Sequence, residues 1–363
     1  MSYIALLNNR FLSRLKKHPN AGLFLAAVVS FLTTCLYVTP SLRPESHGEY
    51  YALLSLNPFD PGNPNSHRIL TPLIAYLLGL RGGYLVILNY AFLVLFLYTI
   101  ARTLYKKTLD FSLVFATLLL FSLSMPSMFT VYYSGYPDST SYFLFSVLLT
   151  ETLHFSLFVI FAFLSLLNHE MSGFFLPFFW SYQRWRDKAS KTLQFLGLVM
   201  PFALYIPVYI LLSSHNRDSH FITFYIQPLI EQSLFFWLRQ QGISMLMGIF
   251  SAFRFGWFLV FFAGMVATRK RDIKTATRIL APVLISFSLT FFAVDTSRMI
   301  SFAFPSLLFS LLYLYENYGQ ARTLHYLKWC ALLNVLTPPI YVTSGGISLM
   351  RPTALALLRL AVN

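Results

Sequence analysis

The sequence is poor in charged residues. Only 11% of its 363 residues are Asp, Glu, Lys or Arg, whereas a soluble globular chain carries about 25%. The mean hydropathy is +0.62. Apolar runs of about 17–25 residues, the length that crosses a bilayer core as a helix, recur along the whole chain. The composition therefore predicts an all-α fold, a polytopic bundle of membrane helices.

Several familiar motifs are missing as well. The chain has no Walker phosphate-binding loop, no GxGxxG after a strand, no HExxH and no GxSxG, which argues against an ATP-driven pump. Its two cysteines, Cys35 and Cys330, both lie in apolar runs, so the sequence has neither a disulfide framework nor zinc-ligand spacing. No inverted repeat with matching broken helices is evident, which disfavours a transporter.

The net charge of +14 comes from 27 basic residues against 13 acidic ones. On a soluble chain this surplus would favour nucleic-acid binding. Here the basic residues gather in short loops, which sets the orientation of the helices with the basic side in the cytoplasm. We expect membrane lipids as partners and no nucleic acid. The basic clusters are Arg10/Arg14/Lys16/Lys17, Arg102/Lys106/Lys107, Arg184/Arg186/Lys188/Lys191, Arg269/Lys270/Arg271/Lys274/Arg278 and Arg322/Lys328.

These clusters predict about eleven transmembrane helices in a single domain of residues 1–363. The N-terminus is expected in the cytoplasm and the C-terminal tail on the outer side of the membrane. A basic amphipathic segment is expected to precede an uncleaved first span. The predicted spans are residues 21–39, 83–104, 109–128, 140–154, 155–168, 171–182, 192–213, 243–267, 279–294, 299–315 and 329–343.

Two long polar segments are predicted outside the membrane. The first outer loop, residues 40–82, contains an acid-bearing part, residues 43–60. It also contains an apolar stretch, residues 67–80, that is too short to cross and is expected to form a helix along the membrane surface. The second outer loop is residues 214–242.

The acidic residues provide an independent test of this topology, because only Lys and Arg were used to derive it. Ionisable groups beside apolar spans tend to be functional or paired. Their distribution predicts an outward-facing site where several helices end. The acids that fall outside or at outer span ends are Glu45, Glu49, Asp60, Asp138, Glu170, Asp218, Glu231 and Asp295.

Two of these acids occupy positions with a local structural explanation: one has a basic neighbour at helical spacing, and the other stands at the start of a helix. Asp295 and Arg298 lie one turn apart, which fits either a local ion pair or a phosphate-binding arginine oriented by its acid. Asp138 either caps the helix that starts there or binds substrate.

Further candidates lie at outer ends of the predicted helices. His169 and Glu170 form either a solvated helix end or a substrate site. His67 and Arg68 contact either lipid headgroups or substrate.

A general base and a buried cation complete the candidate set. Glu49 lies where the polar loop meets the apolar surface, so partial desolvation suits it to general-base catalysis, and Glu45 is the alternative. Both also fit as ordinary loop acids. Arg254 lies inside an apolar span, where it either snorkels outward or pairs with an outer acid or a ligand phosphate.

Three motifs together resemble the GT-C superfamily of membrane glycosyltransferases. The first outer loop contains ESHGEYYALLSLNPF followed by NSHRILTPLI. A His-Glu pair, His169-Glu170, follows at an outer span end, and DTSRMISFAFP comes late in the chain. The resemblance covers the layout of the whole chain. The loop has glutamates where many members have aspartates, which leaves the catalytic acid and the need for a divalent metal open.

This resemblance implies transfer of a hexose or pentose from a polyprenyl-phosphate donor to a glycan, lipid or protein acceptor of the cell envelope. In such a reaction Glu49, or Glu45, deprotonates the acceptor hydroxyl, and Arg298 with Arg68 or His67 neutralises the departing phosphate. Asp138 and Glu170 then bind sugar hydroxyls, or a metal if one is used. Two alternatives remain, a transporter or flippase of a lipid-linked or anionic solute, and a non-catalytic subunit of polysaccharide assembly.

Overall fold

A computed structural model describes most of the chain. The ranges it describes are residues 18–60, 62–63, 65–150, 153–213, 239, 242–291, 295–343 and 346–362. The predicted basic segment before residue 18 and nearly all of the second outer loop lie outside these ranges.

The described part is nearly all-α, as predicted. Long apolar segments fold as helices because a helix pairs backbone donors and acceptors within the segment itself. The early helices are Pro19–Tyr37 (α1), Gly48–Leu56 (α2), Leu70–Leu77 (α3), Leu85–Thr108 (α4), Phe111–Ser122 (α5), Met125–Tyr132 (α6), Asp138–Leu148 (α7), Phe155–Asn168 (α8) and Ser172–Tyr182 (α9). The later helices are Lys191–Ser213 (α10), Ser244–Phe253 (α11), Gly256–Arg269 (α12), Ile273–Leu289 (α13), Thr296–Ser301 (α14), Phe304–Leu336 (α15) and Thr353–Val362 (α16).

Several of these helices indicate a membrane protein. In the described ranges, four helical stretches are long and apolar enough to cross a bilayer, or up to six if each of two bent helix pairs is one span. The predicted number of about eleven is therefore not confirmed. The difference arises mainly from short helices such as α7 and α9, which have 11 residues each and are shorter than the roughly 20 residues that a bilayer core requires.

Two predicted spans are broken in the middle. The run 109–128 becomes α5 and α6, which meet at 51°, and the run 243–267 becomes α11 and α12, which meet at 85°. At the second break Arg254 adopts φ +52°, and the side chain of Asn334 joins the two helices. Its amide oxygen accepts from Phe255 N at 2.9 Å and its amide nitrogen donates to Phe253 O at 3.3 Å.

The last predicted span is wrong in its second half. Helix α15 ends at Leu336, and residues Ile340–Thr343 (β1) form an antiparallel hairpin with Gly346–Leu349 (β2). Gly346 has φ +105°, a conformation that glycine adopts without strain. The hairpin packs against α11 and α14 rather than continuing as a helix.

The first outer loop contains two helices. The predicted surface helix of residues 67–80 is shorter, since α3 covers Leu70–Leu77 and ends before Gly79, which has φ +73°. Helix α2 lies within the acid-bearing part. It approaches the chain after α6 so closely that a Cβ on Gly48 would lie 2.5 Å from Ser134 O. The loop is therefore held against the bundle.

Helix directions divide the bundle into two ends. At one end the basic loops have local caps, because Asp110 Oδ1 accepts from Ser112 N and Leu113 N, and Asp272 Oδ1 accepts from Thr275 N. The other end contains the C-terminal ends of α1, α6 and α8 and the starts of α4 and α7, connected by hydrogen bonds such as Asn89 Nδ2 to Tyr136 O at 2.7 Å. The candidate residues come together at this second end, called the site end below.

Candidate functional site

Arg298 lies between two carboxylates at the site end. Its Nε is 3.1 Å from Asp138 Oδ2, and its Nη1 donates to Asp295 Oδ2 at 3.0 Å. The side chain of Asp138 is 1% exposed and that of Asp295 is 19% exposed. The guanidinium also lies 5.0 Å from the centre of the Tyr136 ring, within cation–π range. The local pair predicted from spacing therefore has a third, buried member from α7.

Arg68 forms a second ion pair with Glu170. Its Nε donates to Glu170 Oε2 at 2.9 Å, its Nη2 donates to Oε1, and its Nη1 donates to the Tyr51 hydroxyl at 2.9 Å. This fork-to-carboxylate geometry is the strongest that an arginine makes. It joins the first outer loop to the α8–α9 turn, although the partners are 102 residues apart.

Two histidines surround the same carboxylate. His67 Nε2 is 3.7 Å and His169 Nδ1 is 3.5 Å from Glu170 Oε2. Burial lowers the pKa of His67 to about 4, even though Glu170 opposes this shift, and burial lowers the pKa of His169 well below its ordinary value. Burial alone would raise the pKa of Glu170, but the charge and hydrogen bonds of Arg68 hold it well below its usual range. At pH 7 both imidazoles are neutral and Glu170 is ionised.

The two ion-pair groups are parts of one polar network. Tyr51, which contacts Arg68, has its ring 6.4 Å from that of Tyr136, which contacts Arg298. Thr71 of α3 hydrogen-bonds Thr140 Oγ1 at 2.8 Å and Asn168 Oδ1 at 2.5 Å. The network therefore connects α3, α7 and α8. Seven of the predicted substrate-binding residues meet in it: His67, Arg68, Asp138, His169, Glu170, Asp295 and Arg298.

An open groove of about 540 Å³ lies beside this network. It is lined by residues 39–43 and Glu45, by Tyr132 and Tyr133, and by Arg351. The Tyr133 ring lies 5.1 Å from that of Tyr341, whose hydroxyl hydrogen-bonds Asp295. The groove thus reaches the Arg298 group through two tyrosine rings that contact each other at a tilt of 49°.

The two predicted catalytic acids occupy different environments. Glu45 lines the groove, where its Oε1 accepts from Ser41 Oγ at 3.1 Å. Glu49 lies exposed in the first turn of α2 and has no side-chain hydrogen bond or ion pair to any residue that the structure describes. The structure therefore places Glu45, and not Glu49, in the lining of the groove.

Arg254 does not join the network. Its Nη1 donates to the Tyr37 hydroxyl and to Asn334 O, both at 2.8 Å, and its Nη2 donates to Pro338 O at 3.3 Å. These acceptors are neutral, and the side chain lies at the break between α11 and α12. The contacts fix the end of α15 to that break, which is a structural role.

The described ranges contain no cluster of ligands for a divalent metal. No group of three or more His, Cys, Asp or Glu residues there lies close enough to hold an ion. In the network, the guanidinium of Arg298 lies between the carboxylates of Asp138 and Asp295.

Sequence reasoning did not single out five residues of this region: Tyr51, Tyr136, Tyr341, Arg43 and Arg351. Nothing in the sequence distinguishes these three tyrosines from the rest of the 22 tyrosines of the chain. The two arginines could have been distinguished, because both lie in predicted outer segments, away from the basic clusters. An isolated cation on the outer side was the available indication.

Comparison of the chain with models of protein families, with characterised proteins and with solved structures finds no match.

Proposed function

We propose that the chain is a membrane glycosyltransferase that moves a sugar from a polyprenyl-phosphate donor to an acceptor on the outer face of a bacterial inner membrane. The observation that supports this most directly is the network of Arg68 and Arg298 beside an open groove with a carboxylate. Cations opposite a leaving phosphate and a base beside an acceptor hydroxyl are what such a displacement requires.

Arg298 is suited to a phosphate because one of its two carboxylates is free to leave. Asp138 is fully buried, whereas Asp295 is partly exposed and lies near the groove tyrosines. A substrate phosphate takes the place of Asp295 on the guanidinium, and the arginine keeps Asp138.

The groove supplies the base in this proposal. Glu45 accepts the proton of the acceptor hydroxyl while that oxygen attacks the anomeric carbon, and the lipid phosphate departs with the electron pair of the broken bond. A lipid phosphate leaves without a metal. Glu49 remains the alternative base, four residues further along the same loop.

The proposal is tested with membranes of a host that lacks the protein, before and after its expression. They are supplied with radiolabelled polyprenyl-phosphate glucose, mannose and arabinose, and the label is followed from the lipid extract into delipidated material. We expect transfer of at least one sugar, and a loss of about 100-fold or more in Glu45→Gln, the usual effect of losing a general base.

Glu49→Gln is the matched control, since it removes another exposed carboxylate from the same loop. Retained transfer in Glu49→Gln with loss in Glu45→Gln supports the assignment, and the reverse result assigns the base to Glu49. If no donor gives transfer above the host background, the enzyme proposal is wrong.

A second candidate is a flippase, because broken helices such as α11 and α12 are typical of transporters. Arg254 and Asn334 fill that break with hydrogen bonds, which favours the enzyme. The test is a proteoliposome assay with a fluorescent short-chain polyprenyl-phosphate hexose and dithionite. Full quenching with the protein, against about half without it, supports flipping.

A further inference from the structure

The groove carries cations that the network does not use. Arg43 and Arg351 both line it and are exposed. Neither guanidinium has a hydrogen bond or ion pair to another of the residues that the structure describes. Arg68 and Arg298, by contrast, are held by carboxylates. The groove therefore contains two open guanidiniums against one carboxylate, that of Glu45.

Backbone hydrogen bonds fix the positions from which these side chains extend. Thr39 N and Thr39 Oγ1 both donate to Arg351 O at 2.9 Å. Ser134 Oγ donates to Arg43 O at 2.7 Å, and Glu45 N donates to Ser134 O at 2.9 Å. The two arginines thus come from distant parts of the chain that are joined at this point, so a ligand finds them already assembled.

The other lining groups suit a sugar. Tyr132 and Tyr133 have rings 4.9 Å apart and nearly perpendicular, which offers an aromatic face to a pyranose. Ser41 and Thr39 bring hydroxyls, and Glu45 has a second carboxylate oxygen to accept from a sugar hydroxyl. A cavity of about 540 Å³ lies within the usual range for small-ligand sites.

We propose that the groove binds an acidic sugar, with Arg43 and Arg351 on its oxyanion and the tyrosines against its ring. A guanidinium matches the planar pair of oxygens of a carboxylate, and it matches a phosphate equally. The bound group is thus a uronate or a sugar phosphate. Binding of the acidic sugar does not depend on the proposed function. Only its role as the acceptor, with a hydroxyl beside Glu45, rests on that function.

Binding is measured by saturation-transfer NMR on the full chain in detergent, with methyl glucuronide, glucose 6-phosphate and methyl glucoside as probes. We expect at least one acid to bind tenfold or more tighter than the neutral glucoside. The double variant Arg43→Gln/Arg351→Gln should lose that preference and leave glucoside binding unchanged. Whichever acid binds more tightly identifies the source of the oxyanion.

Two further variants separate the effect of the groove charges from an unspecific effect of substitution. Arg102→Gln removes an exposed arginine at the opposite end of α4 and should change nothing. Glu45→Gln removes the one carboxylate of the groove and should tighten binding of the acids severalfold. Equal binding of all three probes, or an unchanged preference in the double variant, would overturn the inference.

The transfer assay separates this inference from the proposed function. If acids bind but no donor gives transfer, the groove proposal stands and the enzyme proposal falls. If transfer occurs with equal efficiency to neutral and acidic acceptors, the enzyme proposal stands and the groove proposal falls.

Discussion

Arg298 and Arg254 are two buried arginines of one bundle, yet they are held in opposite ways. Arg298 has two carboxylates, one from α7 and one from the residue before α14. Arg254 has two backbone carbonyls and a tyrosine hydroxyl. A carboxylate partner can be exchanged for another anion, such as a phosphate, whereas backbone carbonyls are fixed by the chain. The comparison separates a cation that can bind ligand from one that joins helices.

The largest effect is expected where a charge loses its partner. Arg298→Met leaves two carboxylates without compensation, and a buried uncompensated charge destabilises by about 3–5 kcal/mol. Adding Asp138→Asn and Asp295→Asn should restore much of that stability. SDS-induced unfolding of the purified protein measures both changes, and a triple variant no more stable than the single one would contradict the ion-pair account.

A smaller effect is expected at the other arginine. Arg254→Met leaves carbonyls at the end of α15 unpaired, which destabilises by about 1–3 kcal/mol. No carboxylate substitution should rescue it, because no carboxylate is its partner. Sugar transfer per folded molecule should be unchanged. A loss of transfer beyond the loss of folded protein would bring Arg254 into the site.

The stability of the protein should depend on pH through the histidines beside the Arg68–Glu170 ion pair. The pKa of His67 is lowered to about 4 by burial, against an ordinary value of about 6.5. The folded protein thus binds fewer protons than the unfolded chain between these values. The stabilisation that results from the lowered pKa of His67 is therefore fully present above pH 6.5 and is lost as pH falls towards 4. Melting temperatures from pH 7.5 to 5 should decline, and His67→Gln should flatten the decline.

The smallest effect on stability is expected at Asp295. Its carboxylate is partly exposed, so Asp295→Asn should change the free energy of unfolding by about 1 kcal/mol or less. Asp138→Asn, at the buried partner, should destabilise more. If the two variants are equally stable, the partners of Arg298 do not differ and the exchange mechanism loses its basis.

The helices could largely be predicted from the sequence because local information defines them. The run 155–168 becomes α8 with the same ends, and Asp295 and Arg298 pair at their predicted spacing. The break at Arg254 could not be predicted, since its apolar run is continuous and the groups that stabilise it belong to Asn334 and Pro338. The hairpin was missed because its apolar strand resembles the end of a span.

The site was only partly accessible to sequence reasoning for the same reason. The acids and arginines at helix ends were identified, but their pairing depends on helix directions and packing. Asp138 meets Arg298 from 160 positions away, and nothing local indicates that contact. Glu49 and Glu45 have similar sequence surroundings, and only the position of the groove distinguishes them.

The hydrogen bonds between Thr39 and Arg351 have a consequence for how the protein is made. They join residues 312 positions apart, and they close the groove that Arg43, Glu45 and Tyr133 begin. During synthesis the first wall of the groove emerges long before the second. A nascent chain therefore carries no complete groove until residue 351 has been added and the hairpin has docked, so ligand binding there reports that the two distant parts of the chain have assembled.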